Sequence, residues 1–191
     1  MGKLADLVFF RKHHLCPRWM CFTFDNGLRR LVQNPDKIIS PFIREGDVIL
    51  DVGPGIGFFT IPMAKKVGAS GRVIAADIQQ SMLDGIENRA VRAGVRDRIG
   101  LHLASTDTVY AGEKADFILA FWMAHEVPDA LKFFRQLHGA LRANGRFLLA
   151  EPKVHVSAKQ FQLLVESAKQ AGFSPVAFLP VPLSYAALFS G

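Results

Sequence analysis

The chain has 191 residues, and half of them are apolar, which is enough to build the core of one globular domain. No apolar stretch approaches the roughly 18 residues that a membrane-spanning helix needs, so no membrane association is expected. The formal net charge is +6, and residues 1–45 hold eight Lys or Arg against four Asp or Glu. No run of basic residues interleaved with aromatic ones is present, so this charge does not favour nucleic-acid binding.

Residues 1–45 do not follow the pattern of the rest of the chain and are predicted to form a helical N-terminal extension. They show no signal-peptide pattern, because the short apolar run is followed by basic residues, so a cytoplasmic location is expected. Cys16 and Cys21 are too few for a disulfide framework and are expected to be reduced. With His13 and His14 they also allow a zinc site, and the two thiols alone allow a soft metalloid. Ordinary buried thiols are preferred, and no bound metal is predicted.

From residue 46 to residue 191, short apolar runs typical of strands alternate with amphipathic patterns typical of helices. The predicted strands span residues 47–53, 71–77, 99–104, 115–122, 146–152, 175–180 and 183–189. The predicted helices span residues 58–67, 80–94, 129–145 and 157–172. This alternation predicts an α/β domain with a mostly parallel sheet and helices on both faces. The last connection is too short for a parallel crossover, so the seventh strand should run antiparallel.

The first predicted strand ends in the stretch DVGPGIG, residues 51–57. Its three glycines, at alternate positions, permit positive φ angles and let a ligand approach the backbone closely. Open α/β sheets bind ligands beyond the carboxyl ends of their strands, which is where this stretch lies. The spacing does not match the G-x-G-x-x-G of dinucleotide-binding turns, because Phe58 and Thr60 stand where the third glycine would fall. A tight turn without a ligand is the alternative interpretation.

The D-x-G-x-G-x-G pattern at residues 51–57 resembles motif I of class I S-adenosylmethionine-dependent methyltransferases. The resemblance continues at Asp77, which ends the second predicted strand, where the family has an acid that binds the ribose hydroxyls of the cofactor. The segments FWMAHEVPD (121–129) and LHGALRANGRFLLAE (137–151) are similar to those of the ubiquinone- and menaquinone-biosynthesis type of methyltransferase. The resemblance implies a Rossmann-like sheet of seven strands in the order 3-2-1-4-5-7-6. It also implies an enzyme that uses S-adenosylmethionine to methylate a small molecule.

This resemblance assigns most of the cofactor contacts. The glycine turn would fit the amino-acid end of the cofactor, Asp51 would orient its ammonium group, and Ile78 would lie against the adenine. The family often has an Asp after the third strand that bonds the adenine amino group. Here Ser105 stands near that place, so either its hydroxyl or Asp107 is expected to make the contact. The predicted cofactor-binding residues are Asp51, Gly53, Pro54, Gly55, Gly57, Asp77, Ile78, Met82, Ser105, Thr106 and Phe121.

Residues near the acceptor are harder to assign. Methyl transfer requires a general base only when the acceptor loses a proton. His125 and Glu126, just past the fourth predicted strand, are the candidate catalytic residues, and helix capping or packing is the alternative for His125. The family's N-terminal extension often closes over the cofactor, so the aromatic residues of this extension are expected to form a lid. The predicted substrate-binding residues are Trp19, Phe22, Phe24, Trp122, His125 and Glu151.

Two functions of other classes stay open at this point. A nicotinamide-dependent oxidoreductase would have the same kind of sheet, but the glycine spacing argues against it. A non-catalytic module that binds a cofactor or RNA is supported only by the basic N-terminal segment. The sequence gives no indication of the oligomeric state.

Overall fold

Seven strands form a single sheet in the computed structural model, which describes residues 27–105 and 107–191. In chain order they are β1 (Val48–Val52), β2 (Arg72–Asp77), β3 (Ile99–Leu103), β4 (Ala115–Phe121), β5 (Leu141–Pro152), β6 (Ser174–Phe178) and β7 (Ser184–Ser190). They lie in the order β3-β2-β1-β4-β5-β7-β6. The strands from β3 to β5 pair in parallel, and β7 pairs antiparallel with both β5 and β6. The predicted strand order and the antiparallel seventh strand are confirmed.

Helices cover both faces of this sheet. The described residues contain α1 (Gly27–Val32), α2 (Pro35–Ile39), α3 (Thr60–Lys66), α4 (Gln80–Ala93), α5 (Ala130–Ala140), α6 (Ala158–Gln170) and 3-10 turns at Ser40–Phe42, Arg96–Arg98 and Ala124–Glu126. Neighbouring strand residues point to opposite faces, so Ile49 packs with α3 and α4 whereas Leu50 packs with α5 and α6. No helix in the described part of the chain combines the length and apolar character needed to cross a membrane.

Side-chain and backbone caps set the ends of several helices. Asp129 accepts a hydrogen bond from the Lys132 backbone at the start of α5, and Ser157 forms a capping box with Gln160 at the start of α6. Gly94 ends α4 in the left-handed conformation, with φ of 65°. These residues therefore fix where α4 ends and where α5 and α6 begin.

One predicted boundary is wrong by five residues. The helix predicted over 129–145 ends at Ala140, and β5 begins at Leu141, which has an extended backbone. The Leu141 side chain is buried, and this residue pairs with Ala115 of β4 in the sheet. In the sequence, however, the leucine-rich helical pattern continues through Leu141. A Cβ added to Gly145 would lie 2.6 Å from Cδ1 of Leu141, so this glycine lets the chain pass close to that side chain. Burial of Leu141 against the sheet thus overrides the local helical pattern.

A group of aromatic rings fills the core between the sheet and α5 and α6. Phe147 of β5 is fully buried and lies at the centre of this group. Its ring centroid is 5.9 Å from that of Phe134, 4.9 Å from that of Phe173 and 5.6 Å from that of Phe189. These spacings are typical of favourable aromatic pairs. Much of the stability on this face is therefore expected to depend on one ring.

We expect Phe147→Ala to lower the free energy of unfolding by about 3–5 kcal/mol, because it removes a ring and leaves a cavity that its neighbours only partly fill. Phe178→Ala, on the edge strand β6 and 64% exposed, is the matched control and should change it by less than about 0.5 kcal/mol. Urea unfolding followed by circular dichroism measures both. Equal losses for the two variants would contradict the central place of Phe147.

Candidate active site

The glycine turn follows β1 at the carboxyl edge of the sheet. Gly53, Gly55 and Gly57 have φ angles of 61°, 55° and 90°, all in the left-handed region that favours glycine. A Cβ at Gly53 would lie 2.7 Å from Cγ of Met123, so packing excludes a side chain there. A Cβ at Gly55 would meet no described atom within 4 Å. The backbone at Gly55 therefore faces open space in which a ligand can approach it.

Asp51 is the second-last residue of β1, and its side chain is buried. The Thr60 hydroxyl donates a hydrogen bond of 2.7 Å to Oδ2 of Asp51. Burial raises the pKa of Asp51 to about 7, because the Thr60 bond offsets only part of the desolvation and the charge of Asp77 adds to it. A cation bound beside this carboxylate would favour its ionised form.

Asp77 ends β2, the strand next to β1 in the sheet. Its Oδ1 accepts a hydrogen bond of 2.9 Å from the Gln79 backbone, and the backbone N–H groups of Gly55 and Ile78 also donate to the carboxylate. Burial raises the pKa of Asp77 to about 6, although these hydrogen bonds oppose the shift. Ile78 beside it is an apolar side chain that is 41% exposed. An acid, an apolar surface and the open turn thus lie together.

The other predicted cofactor contacts fall in different places. Met82 is 1% exposed in α4, and Phe121 is buried with its ring centroid 4.5 Å from that of Phe59. Ser105 is exposed, and its hydroxyl accepts a hydrogen bond of 3.0 Å from the Thr108 backbone. Thr106 lies outside the described residues. Pro54 accepts a hydrogen bond from the Gly57 backbone within the turn.

Asp107, the alternative partner for the adenine, is directed towards α5. Its carboxylate forms an ion pair with Nζ of Lys132 at 2.6 Å, and the Gln136 side chain bonds its backbone carbonyl. The ion pair lowers the pKa of Asp107, so this side chain is a carboxylate at neutral pH. Asp107 therefore bonds residues of α5 in this structure, and a contact between its side chain and the adenine stays a prediction.

His125 and Glu151 form a hydrogen-bonded pair beyond the ends of β4 and β5. Nδ1 of His125 is 2.5 Å from Oε2 of Glu151, and Oε1 of Glu151 accepts a bond of 2.8 Å from the Ala124 backbone. The Glu151 side chain is fully buried, whereas that of His125 is 26% exposed. Glu126 lies alongside, with its Oε1 4.0 Å from Nε2 of His125. The two candidate catalytic residues and one predicted substrate-binding residue are therefore brought together.

The charges of this group shift its protonation. Burial lowers the pKa of His125, but the hydrogen bond and charge of Glu151, together with the charge of Glu126, outweigh it and raise that pKa above its usual value. Burial also raises the pKa of Glu126, aided by the charges of Glu151 and Asp77 and opposed by His125.

Trp122 is one of two described non-glycine residues with a positive φ, here 62°. Its backbone N–H donates to the Ala150 carbonyl at 2.7 Å, and its indole N–H donates to the Ser184 hydroxyl at 2.8 Å. The guanidinium of Arg29, from α1, lies 4.4 Å from the Trp122 ring and 4.1 Å from the Phe58 ring. These contacts hold a strained residue at the edge of the site.

Sequence reasoning missed the residues that support Trp122. Gln33, which directly follows α1, is fully buried and donates to the Pro182 carbonyl and to the Ser184 hydroxyl, across 149 and 151 positions of the chain. Its Oε1 accepts a bond of 2.9 Å from Nε of Arg29. No local pattern marks Gln33 or Ser184, because both act through contacts that are distant in sequence.

Several predicted residues fall outside the part of the chain that the structure describes. These are the proposed lid residues Trp19, Phe22 and Phe24, and the possible metal or metalloid ligands His13, His14, Cys16 and Cys21. Within residues 27–105 and 107–191, no group of three or more His, Cys, Asp or Glu side chains is arranged to hold a metal ion.

Comparison with known proteins agrees with this geometry. Residues 43–176 match the family described as a methyltransferase domain. The ubiquinone/menaquinone biosynthesis C-methyltransferase of Klebsiella pneumoniae is 29% identical over 150 residues, which cover 78% of this chain and 53% of that protein. The demethylmenaquinone methyltransferase of Lactobacillus johnsonii is 30% identical over 115 residues, covering 57% and 45% of the two chains. The chain thus spans about half the length of the curated relatives it matches.

A solved structure shows the same fold over nearly the whole chain. The crystal structure of a SAM-dependent methyltransferase from Aquifex aeolicus superposes with a TM-score of 0.80 at 21% identity, covering 91% of this chain and 97% of that one. The family match, the sheet order and the acid-flanked glycine turn agree. The chain belongs to the methyltransferase-domain family.

Proposed function

We propose that this protein transfers a methyl group from S-adenosylmethionine to a small-molecule acceptor. The observation that carries the proposal is the open glycine turn beside Asp77, whose carboxylate accepts a hydrogen bond from Gly55. The matched family and the related quinone-pathway methyltransferases support it. Because the chain spans only part of those relatives, their own acceptors are not carried over to it.

The residues at this edge suit the cofactor in shape and in chemistry. Gly55 leaves the space that a ligand needs close to the backbone, and exposed Ile78 offers an apolar surface for a flat adenine ring. The Asp77 carboxylate would accept hydrogen bonds from the ribose hydroxyls, and Asp51 would favour the ammonium group. The bound cofactor supplies a methyl group that is already activated on a positively charged sulfur. The protein would therefore act mainly by aligning the acceptor with it.

The acceptor would lie towards the side of the turn where β4 and β5 end. Arg29, Trp122 and the His125–Glu151 pair lie there, and they offer aromatic, cationic and proton-accepting groups. We propose that the N-terminal extension, residues 1–45, closes this side as a lid on a methyltransferase domain of residues 46–191. Trp19, Phe22 and Phe24 would then contact an apolar acceptor. A cytoplasmic location and the absence of a nucleic-acid partner stay predictions from the sequence.

The oxidoreductase alternative predicts a different ligand. A thermal-shift comparison of NADH with S-adenosylhomocysteine separates the two functions, since only the ligand that binds the folded state raises its unfolding temperature. The proposed function requires stabilisation by S-adenosylhomocysteine. Stabilisation by NADH alone would replace it with the alternative.

We expect Gly55→Ala to weaken binding of S-adenosylhomocysteine at least about tenfold, because the new methyl group occupies the space next to the exposed backbone, a loss of about 1.4 kcal/mol. Gly94→Ala is the matched control, since Gly94 also has a φ near that of Gly55, at 65°, and also has no atom within 4 Å of an added Cβ. Both variants carry the same backbone strain, about 1–2 kcal/mol, so thermal unfolding should shift alike. Calorimetry measures the affinities, and equal affinities would contradict the ligand role of the turn.

We also expect the affinity for S-adenosylhomocysteine to rise with pH from about 5 to 8. Below its pKa of about 6, Asp77 is protonated and loses one of its acceptor oxygens, and Asp51, with a pKa of about 7, adds a second step. Asp77→Asn should bind weakly at every pH and lose the lower step, and Asp51→Asn should lose the upper one. Calorimetry across this pH range tests this, and a flat profile for the unchanged protein would contradict it.

A further inference from the structure

We propose that Nε2 of His125 is the proton acceptor of this site and that Glu151 is the positioning residue that fixes its ring. The inference rests on the proposed function and deepens it, because it sets the class of acceptor. An acceptor atom served by this pair carries a hydrogen that it loses when it is methylated.

The hydrogen bonds around Glu151 determine which ring nitrogen is available. One carboxylate oxygen accepts from the Ala124 backbone at 2.8 Å, and the other lies 2.5 Å from Nδ1 of His125. An ionised carboxylate only accepts hydrogen bonds, so Nδ1 carries the hydrogen. The neutral imidazole then keeps its free electron pair on Nε2, which is the arrangement that a general base needs.

A purely structural role would not require both contacts. Glu151 caps the 3-10 turn through the Ala124 backbone with one oxygen, and that bond alone would satisfy the start of the turn. The second oxygen is used on a histidine whose side chain is still 26% exposed. Burying a carboxylate completely is unfavourable unless it is well paired. The presence of a buried carboxylate beside the partly exposed ring of His125 therefore favours a role in orienting that ring.

The pair lies close to the cofactor-binding edge. Met123, two residues before His125, fills the space in front of Gly53, where an added Cβ would lie 2.7 Å from its side chain. Glu126, which lies 4.0 Å from Nε2, is influenced by the charge of Asp77. His125 is thus at the same end of the sheet as the glycine turn, on the side of β4.

The proposed step balances as a direct displacement. The electron pair of the acceptor atom forms the bond to the methyl carbon, while the pair of the broken carbon–sulfur bond remains on the sulfur. The proton of the acceptor atom moves to Nε2 of His125. The imidazolium that forms is stabilised by Glu151 and Glu126, and the exposed part of the ring allows the proton to leave to solvent.

The surroundings of His125 determine how its ring titrates. Glu151 faces it from β5, Glu126 from its own turn, and the parallel His155 ring from the segment after β5, with centroids 6.4 Å apart. The two carboxylates raise the pKa of His125 despite its burial, so base function would increase with pH through a value above 6.5. Removing the Glu151 charge should lower that pKa.

Nitrogen NMR of the 191-residue chain, with uniform ¹⁵N labelling, tests the pair without an acceptor substrate. The chain has six histidines, and His125→Gln identifies the His125 ring signals. At pH 9 we expect the ring hydrogen of His125 to lie on Nδ1. As the pH is lowered, we expect the ring to take up its second proton at a midpoint above that of an ordinary histidine. Glu151→Gln, which keeps an acceptor oxygen but loses the charge, should move the midpoint down by about 1 pH unit. Glu126→Gln, the matched control without a hydrogen bond to the ring, should move it less.

Modification by diethyl pyrocarbonate then tests whether Nε2 is accessible, because this reagent acylates the free electron pair of a neutral ring. Peptide mass spectrometry should find His125 modified, with a rate that follows the NMR titration. A hydrogen on Nε2 at pH 9, an unmodified His125, or a midpoint unchanged by Glu151→Gln would each overturn the proposal. If Glu151→Gln does not fold, the first two measurements on the unchanged chain still decide.

Binding of S-adenosylhomocysteine to the unchanged chain separates this inference from the function on which it rests. Binding together with the expected ring behaviour supports both. Absence of binding overturns the proposed function, whatever the histidine shows. Binding with the hydrogen on Nε2 leaves methyl transfer in place and removes only the role of the pair.

Discussion

Every feature of the site depends on the parallel pairing of β1 with both β2 and β4. Parallel neighbours end at the same edge of a sheet, so one ligand can reach the residues that follow three different strands. Asp51 is the second-last residue of β1, just before the glycine turn, Asp77 ends β2, and His125 lies just beyond β4. The antiparallel β7 lies outside β5, and its first residue, Ser184, reaches the same edge and accepts a hydrogen bond from Trp122.

The site concentrates carboxyl groups that are largely removed from water. Asp51, Asp77 and Glu151 are all buried, and the hydrogen bonds they accept come from Thr60, from backbone N–H groups and from one histidine. Such groups lower the stability of the free protein when they are ionised. A ligand that bears a positive charge and hydroxyl groups pairs with these carboxylates, whereas a pyrophosphate is repelled by them, so the arrangement favours a sulfonium cofactor over a pyrophosphate.

Local sequence patterns were enough to predict most of the fold and the cofactor side of the site. Alternating apolar runs predict the sheet, and Asp77 is recognisable because it ends a strand after an acid-flanked glycine turn. The end of α5 at Ala140 could not be predicted, since the helical pattern continues into residues that pack as strand. Gln33, Ser184 and the strained Trp122 could not be predicted either, because their contacts join distant parts of the chain.

The contacts of Gln33 have a consequence for the order in which the protein folds. Gln33 bonds residues about 150 positions away, and Ser184 reaches its place only when β7 has paired with β5. Closing so long a loop is entropically unfavourable until the sheet exists to receive it. We therefore expect α1 and Gln33 to dock late, so that the contacts of Arg29 and Ser184 with Trp122 form only after most of the core.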